Sequence, residues 1–309
     1  VHQGGIRVPC FIRFPGRIPA GRKIDHFEAA HIDLLPTLVE LTGIEEPRTL
    51  PLDGRSLAPA LVGDRGVWPD RLLFTTWRGR GAVRDGQYVS THEGQLYNLL
   101  TDPNQKQNLA TRLPRVQAKL QVAYGRWQQE VSRRGFDPIP TEVGHREWPV
   151  VRLRGHEALL QPPARDRRGD RRGLGIRFNG RPGWANDWVT GWTSLDAFPS
   201  WPVRVVRGGR YRVTLRYCCE PADLGARVAV VVGKSRVVGQ VKTPFPAKRL
   251  PRPNRIVLTH GAQDDMYWAS LQLGTLTLEP GNHSLEVRAL SRPGKTVMQL
   301  KAVWLERVE

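Results

Sequence analysis

Two short stretches of the chain set aromatic rings beside polar groups. One reads Trp184-Ala185-Asn186-Asp187-Trp188, with Trp192 and Trp201 following it. The other reads Asp264-Asp265-Met266-Tyr267-Trp268. Indole and phenol faces stack on the C–H surface of a sugar ring, while Asp, Asn and Arg bond its hydroxyls or a sulfate group. Trp184, Trp188, Tyr267 and Trp268 are therefore candidates for carbohydrate binding. The same rings also suit the core of a β domain, and the residues alone allow both readings.

Other chemistry is thinly represented. There is no Walker A loop, no Gly-x-Gly-x-x-Gly opening a helix, no His-Glu-x-x-His and no Gly-x-Ser-x-Gly elbow. The eight His are scattered, without a pair at metal-ligand spacing. Three Cys, at 10, 218 and 219, exclude a dense disulfide framework, and without a Cys-x-x-Cys they offer no structural zinc site. Cys10 lies in the apolar run Val8-Pro9-Cys10-Phe11-Ile12, which predicts a buried, inert thiol. No metal ligands are expected in this chain.

The charge is unusual. Among 309 residues, 47 Lys and Arg stand against 29 Asp and Glu, a net of +18, and only eight of the 47 are Lys. Arg-rich coding accounts for part of this. The functional reading is a polyanionic partner: a sulfated or acidic glycan, nucleic acid or an anionic membrane surface. Nucleic acid is disfavoured because the Arg are spread along the chain instead of clustering on one helix. No apolar run approaches the roughly 18 residues of a membrane span.

The elements that must position these residues fall into two classes. Helical periodicity runs from Ala29 to Gly43, with Ile32, Leu35, Val39 and Thr42 on one stripe, over a short piece at Ser56–Val62, and from Leu113 to Arg134. Residues 8–14 read as a short strand. Leu72–Trp77, a hairpin about Asp85-Gly86 and Gln95–Leu99 read as a small antiparallel sheet. Residues 136–173, with Pro138, Pro140 and Pro149 and the charge-dense run 165–173, read as a linker and a mobile loop. Beyond residue 174 helical periodicity disappears. Short alternating strands separated by Gly, Pro and Asn argue for a β-sandwich over 174–309.

The first 135 residues resemble type I sulfatases. His2-Gln3-Gly4-Gly5-Ile6-Arg7-Val8-Pro9, closing on Phe14-Pro15-Gly16, is similar to their Glu-Gly-Gly-x-Arg-Val-Pro … Trp-Pro-Gly segment. Asp33-Leu34-Leu35-Pro36-Thr37 and Leu52-Asp53-Gly54-Arg55-Ser56-Leu57 are similar to two further motifs. Ala82-Val83-Arg84, Leu96-Tyr97-Asn98-Leu99, Asp102-Pro103 and Asn108-Leu109-Ala110 follow the family's closing β segment. Gln3 stands where the family usually has Glu. The resemblance implies an α+β sulfatase C-terminal subdomain over 1–135, completing an alkaline-phosphatase-like α/β fold whose larger domain precedes it. More loosely, 174–309 resembles the carbohydrate-binding-like sandwich appended to some sulfatases.

The resemblance also implies a chemistry. Sulfatases hydrolyse sulfate esters with a formylglycine made from Cys or Ser in a Cys/Ser-x-Pro-x-Arg motif, and a calcium ion polarises the sulfate. Cys10 is followed by Phe-Ile-Arg, which is not that motif, so nucleophile and calcium ligands are expected upstream. The chain opens inside a motif and reads as the C-terminal part of a longer protein. His2 and Arg7, nearest the family's sulfate-contacting Lys, become the candidate substrate-binding residues, since a guanidinium suits an oxyanion. The implied partners are a sulfated or acidic glycan and the preceding sulfatase domain, and the implied location is periplasmic or extracellular. The fragment alone is expected to be inactive. A non-catalytic acidic-glycan-binding module is the alternative.

Overall fold

The computed structural model describes residues 2–309 apart from 26, 46–50, 64–67, 78, 134, 136, 168, 181–185 and 252–265. The chain divides into two compact units, Val1–Phe136 and Asp137–Glu309.

The first unit opens with a single helical turn, α1 (Gln3–Ile6). A 3-10 turn at His31–Asp33 runs into α2 (Leu34–Thr42), and α3 (Ala58–Val62) follows. Then β1 (Leu72–Trp77), β2 (Arg80–Asp85), β3 (Tyr88–Thr91) and β4 (Leu96–Asn98) form an antiparallel meander in chain order, and α4 (Pro114–Ser132) closes the unit. Local chemistry explains the boundaries. Gly43 ends α2 at φ +69°, donating its N–H to Val39 O. Gly86 takes φ +53° in the hairpin that pairs Asp85 with Tyr88. Pro114 starts α4, where its missing N–H costs nothing.

Helix α4 lays Leu120 and Tyr124 on the sheet, against Val83 and Leu96, with Trp127 stacked on Phe74 at 4.9 Å. The close approach depends on Gly81, where an added Cβ would lie 2.1 Å from the Tyr124 hydroxyl. A second small core joins Leu41, Leu57, Ala58 and Leu61, with Ile12, Phe14, Phe27 and Trp68 packed on it.

Three expectations fail in this unit. Residues 8–14 form no strand, because no described segment offers them a ladder partner. Cys10 is exposed, and Phe11 beside it is 92% exposed. Helix α2 buries Thr37 and Leu41, whereas Ile32, Leu35 and Leu38 stay exposed, because polar bonds at Asp33 and Thr37 set which face turns inward.

The second unit is mostly β. Its strands are β5 (Thr141–Val143), β6 (Val150–Arg154), β7 (Leu159–Gln161), β8 (Pro163–Arg165), β9 (Arg171–Gly173), β10 (Arg177–Phe178), β11 (Val189–Thr190), β12 (Phe198–Val205), β13 (Gly209–Cys218), β14 (Arg227–Val232), β15 (Ser235–Gln240), β16 (Ala269–Leu278), β17 (Gly281–Ser291) and β18 (Gln299–Arg307). One six-stranded sheet has the order β10-β11-β18-β13-β16, with β6 also on β18. The other has the order β15-β14-β17-β12-β5, with β7 also on β12. Alternating residues of both sheets, among them Leu153, Val213 and Leu305 from one and Trp201, Val230 and Leu285 from the other, form one apolar core.

The linker expected over 136–173 is not one. β6 alternates outward Arg152 and Arg154 with buried Val151 and Leu153, and pairs with β18. β5 and β7 both pair with β12. The arginine-rich run is a hairpin, with Arg165 opposite Arg171 across β8 and β9. The strand β12 was also hidden, by Pro199 and Pro202. Its outer edge changes neighbour from β7 at 198–200 to β5 at 203–205, and Pro202 falls in the gap between them.

Candidate functional site

In the first unit the motif residues converge on Asp33, which is fully buried. Its Oδ1 accepts hydrogen bonds from Arg55 N at 2.8 Å and Arg71 Nη1 at 2.7 Å. Its Oδ2 accepts from Ala30 N at 2.7 Å and from Arg71 Nη2. Burial alone would raise the carboxyl pKa. The Arg71 bond, the Arg55 and Ala30 amides and the Arg71 charge outweigh it and hold the group below its usual value. One turn on, Thr37 Oγ1 donates to Asp33 O and accepts from Leu57 N at 2.8 Å. The Asp53-Gly54-Arg55 turn sits so close that a Cβ on Gly54 would lie 2.0 Å from Ile32 O. Asp33-Leu-Leu-Pro-Thr and Leu-Asp-Gly-x-Ser-Leu are thus two halves of one buried clasp. Asn108 and Asp102 act likewise on backbone: Asn108 Oδ1 accepts from Leu96 N and Ala110 N, both at 3.0 Å, and Asp102 from Gln107 N at 2.8 Å.

None of these groups is free for catalysis. His2 and Arg7 lie on either side of α1, both exposed, and among the described residues neither forms an ion pair. Among the described residues, no three His, Cys, Asp or Glu side chains are grouped so as to hold a metal ion. With Asp33 and Asp102 already engaged, the calcium implied by the resemblance does not fit the residues present. Nor does Cys10, in its Cys-Phe-Ile-Arg context, fit the aldehyde precursor.

In the second unit the aromatic candidates separate. Trp192 and Trp201 are core side chains, their indole N–H groups donating to Ala197 O at 2.9 Å and Arg154 O at 2.8 Å. Trp188 is buried too, donating to Gln299 Oε1 at 2.7 Å, and meets Trp268 edge to face at 5.4 Å. Lys301 places its ammonium 5.7 Å from the Trp188 ring and 5.5 Å from the Trp268 ring, and donates to Asn186 O at 2.7 Å. Tyr267 is the more open ring, 43% exposed, with Lys248 Nζ 6.0 Å above it. Trp184, Asp264 and Asp265 lie outside the described residues.

Asp187 serves the backbone, accepting from Gly180 N and Trp188 N, and burial raises its pKa. Burial also pushes the Cys218 thiol to about 12 and the Cys219 thiol to about 11, so neither is a nucleophile at neutral pH. Lys301 was not among the sequence candidates. It sits where the β13–β18 register shifts, a bulge that no sequence pattern announces. Among the described residues, no helix is long and apolar enough to cross a membrane.

Residues 1–128 match the family described as "N-sulphoglucosamine sulphohydrolase, C-terminal". The chain is 46% identical to human Arylsulfatase D over 72 residues, 23% of this chain and 12% of that protein. It is 29% identical to human Arylsulfatase A over 199 residues, 53% of this chain and 38% of that protein. Against the Delta 4,5-hexuronate-2-O-sulfatase of Bacteroides thetaiotaomicron it is 35% identical over 118 residues, 33% and 24% of the two chains. The chain thus spans 12–38% of the length of these relatives. A family 35 carbohydrate binding module from Clostridium thermocellum aligns over 52% of this chain and 98% of that one at 11% identity, with a TM-score of only 0.34. Residues 1–128, which carry the ordered motifs folded into the Asp33 clasp, are thus similar to the C-terminal part of sulfatases.

Proposed function

We propose that this chain belongs to a sulfuric ester hydrolase acting on a sulfated carbohydrate, with the formylglycine nucleophile and calcium ligands on a domain preceding Val1. The observation that carries the reading is the sulfatase match over 1–128. Supporting it is the apolar surface of that unit, where Val8, Phe11, Leu35 and Leu38 are 76%, 92%, 45% and 52% exposed. Surface of that kind asks for cover, and a larger sulfatase domain completing an alkaline-phosphatase-like fold would supply it. His2 and Arg7 would then border the substrate, with Arg7 offering its donor fork to the sulfate. A periplasmic or extracellular location follows from the same reading.

The second unit is read as an accessory β-sandwich of carbohydrate-binding type. The alternative, a non-catalytic acidic-glycan-binding module, would rest on Tyr267, Trp268 and Lys301 of this unit. The test is release of inorganic sulfate from 4-nitrocatechol sulfate and from sulfated disaccharides. It is run with this chain and with the longer product of the same reading frame. The longer protein is expected to release sulfate and the 309-residue chain to release none. Sulfate release by the short chain would overturn the placement of the nucleophile, and its absence from both would leave the binding module.

A further inference from the structure

The outward face of the β6-β18-β13-β16 part of the sheet carries a group of residues that neither the sulfatase reading nor the sugar candidates use. In register, Ala302 of β18 lies between Arg154 of β6 and Arg216 of β13, and Trp304 lies between Arg152 and Thr214. Neighbouring strands are about 4.8 Å apart, so Arg154 and Arg216 stand roughly 10 Å from each other across Ala302. Arg152 sets its guanidinium 4.7 Å from the Trp304 ring centre, and Arg216, coming from the opposite neighbour, sets its own at 5.2 Å.

These arginines are held in place. Arg216 also donates to Trp268 O at 2.6 Å and to Ser270 Oγ. Stacking fixes the plane of a guanidinium while leaving its in-plane N–H groups free to bond an anion. The carboxylate on the same face of β18 is engaged elsewhere: Glu306 is bonded to Arg212 at 2.7 Å. Arg152 and Arg154 are exposed and have no ion-pair partner among the described residues. On the neighbouring bulge, Lys301 extends the positive charge to Trp188 and Trp268. Burial, with the Arg154 and Lys301 charges, outweighs the opposing Glu157 and Asp187 charges and lowers the pKa of His156.

We infer that this face, built on Trp304 with Arg152, Arg154 and Arg216, binds the sulfate groups of a sulfated polysaccharide. The class of ligand rests on the proposed function, whereas the position and the residues rest on the geometry. Nucleic acid suits the face less well. Single strands bind by stacking bases on open aromatic rings, and guanidiniums from both neighbouring strands already stack on Trp304.

The test is affinity electrophoresis of the full 309-residue chain through gels containing dextran sulfate, with neutral dextran and polygalacturonate gels in parallel. Arg152→Gln with Arg154→Gln removes two charges that form no ion pair among the described residues, at the cost of the Arg152–Trp304 stack, and circular dichroism verifies that the fold is kept. Lys234→Gln with Arg236→Gln removes two exposed charges, one just before β15 and one in it, on the other sheet. The first pair is expected to weaken dextran sulfate binding about tenfold and the second less than about twofold. Arg152→Lys, which keeps charge but loses the planar stack, is expected to weaken it severalfold. Equal effects of the two pairs, or none from the first, would overturn the site without touching the sulfatase reading. So would tighter binding to polygalacturonate or to a single-stranded oligonucleotide than to dextran sulfate.

Discussion

Replacing Asp33 by Asn tests whether the sulfatase motifs form a load-carrying clasp in the first unit. The exchange keeps the shape and removes the charge. Asp33 is fully buried, and the Arg71 side chain is only 9% exposed. Each carboxylate oxygen accepts one bond from Arg71 and one from a backbone amide. An Asn can offer one oxygen, so its amide N–H2 would face two donors with no acceptor between them. Removing one partner of a buried ion pair costs about 3–5 kcal/mol. In a unit of this size, 1 kcal/mol moves the midpoint by about 3–5 °C, so the loss corresponds to roughly 10–20 °C.

Calorimetry of the whole chain reads the change, with the transition of the second unit as internal reference. The acid limb provides a second check. The folded pKa of Asp33 lies below its unfolded value of 3.8, so the unfolded state binds more protons in this range. The stabilisation is complete above about pH 5 and is lost as pH falls through 3.8 and then through the lower folded value. Asp33→Asn should therefore lose most of its difference from the parent chain at acid pH. Adding Arg71→Met to Asp33→Asn removes the orphaned guanidinium and should recover part of the loss. A shift below about 1 kcal/mol at pH 7, or one independent of pH, would refute the clasp.

Two further outcomes follow from burial and space. Native chain treated with iodoacetamide at pH 7.5 should label Cys10 alone, and labelling of Cys218 or Cys219 before unfolding would contradict their burial and raised pKa values. Gly54→Ala should cost about 1–3 kcal/mol in urea titrations, because the added Cβ meets backbone at Ile32. Gly125→Ala, in α4 with nothing within 4 Å, should stabilise by up to about 1 kcal/mol, and equal signs for the two would refute the packing argument.

What could be read from the sequence, and what could not, divides along how far apart the cooperating residues lie. The hairpin at Asp85-Gly86, the Gly43 stop of α2 and the stripe of α4 are local, and each is encoded within a few residues. The sulfatase motifs were legible for a related reason: a buried Asp33 carboxylate matched to Arg71, and a Gly54 with no room for a Cβ, leave few substitutes. Their chemistry is that of packing, which is why a family resemblance could be strong where the His2 and Arg7 side chains form no ion pair among the described residues. β12 went unread because Pro199 and Pro202 break the alternation that marks a strand, and β5 and β6 because they are short pieces following Pro140 and Pro149; the partners of all three lie far along the chain. The same distance hid the basic face. Arg152, Arg216 and Trp304 each sit in an ordinary outward position of a strand, and only the order β6-β18-β13 brings them together. Local density of rings marks Trp184, Trp188, Tyr267 and Trp268, of which the core claims Trp188 while Tyr267 stays 43% exposed. Clusters of Trp within a few residues mark where a β domain folds over itself. An outward site on a sheet is assembled one residue per strand, so it is found by register and not by motif.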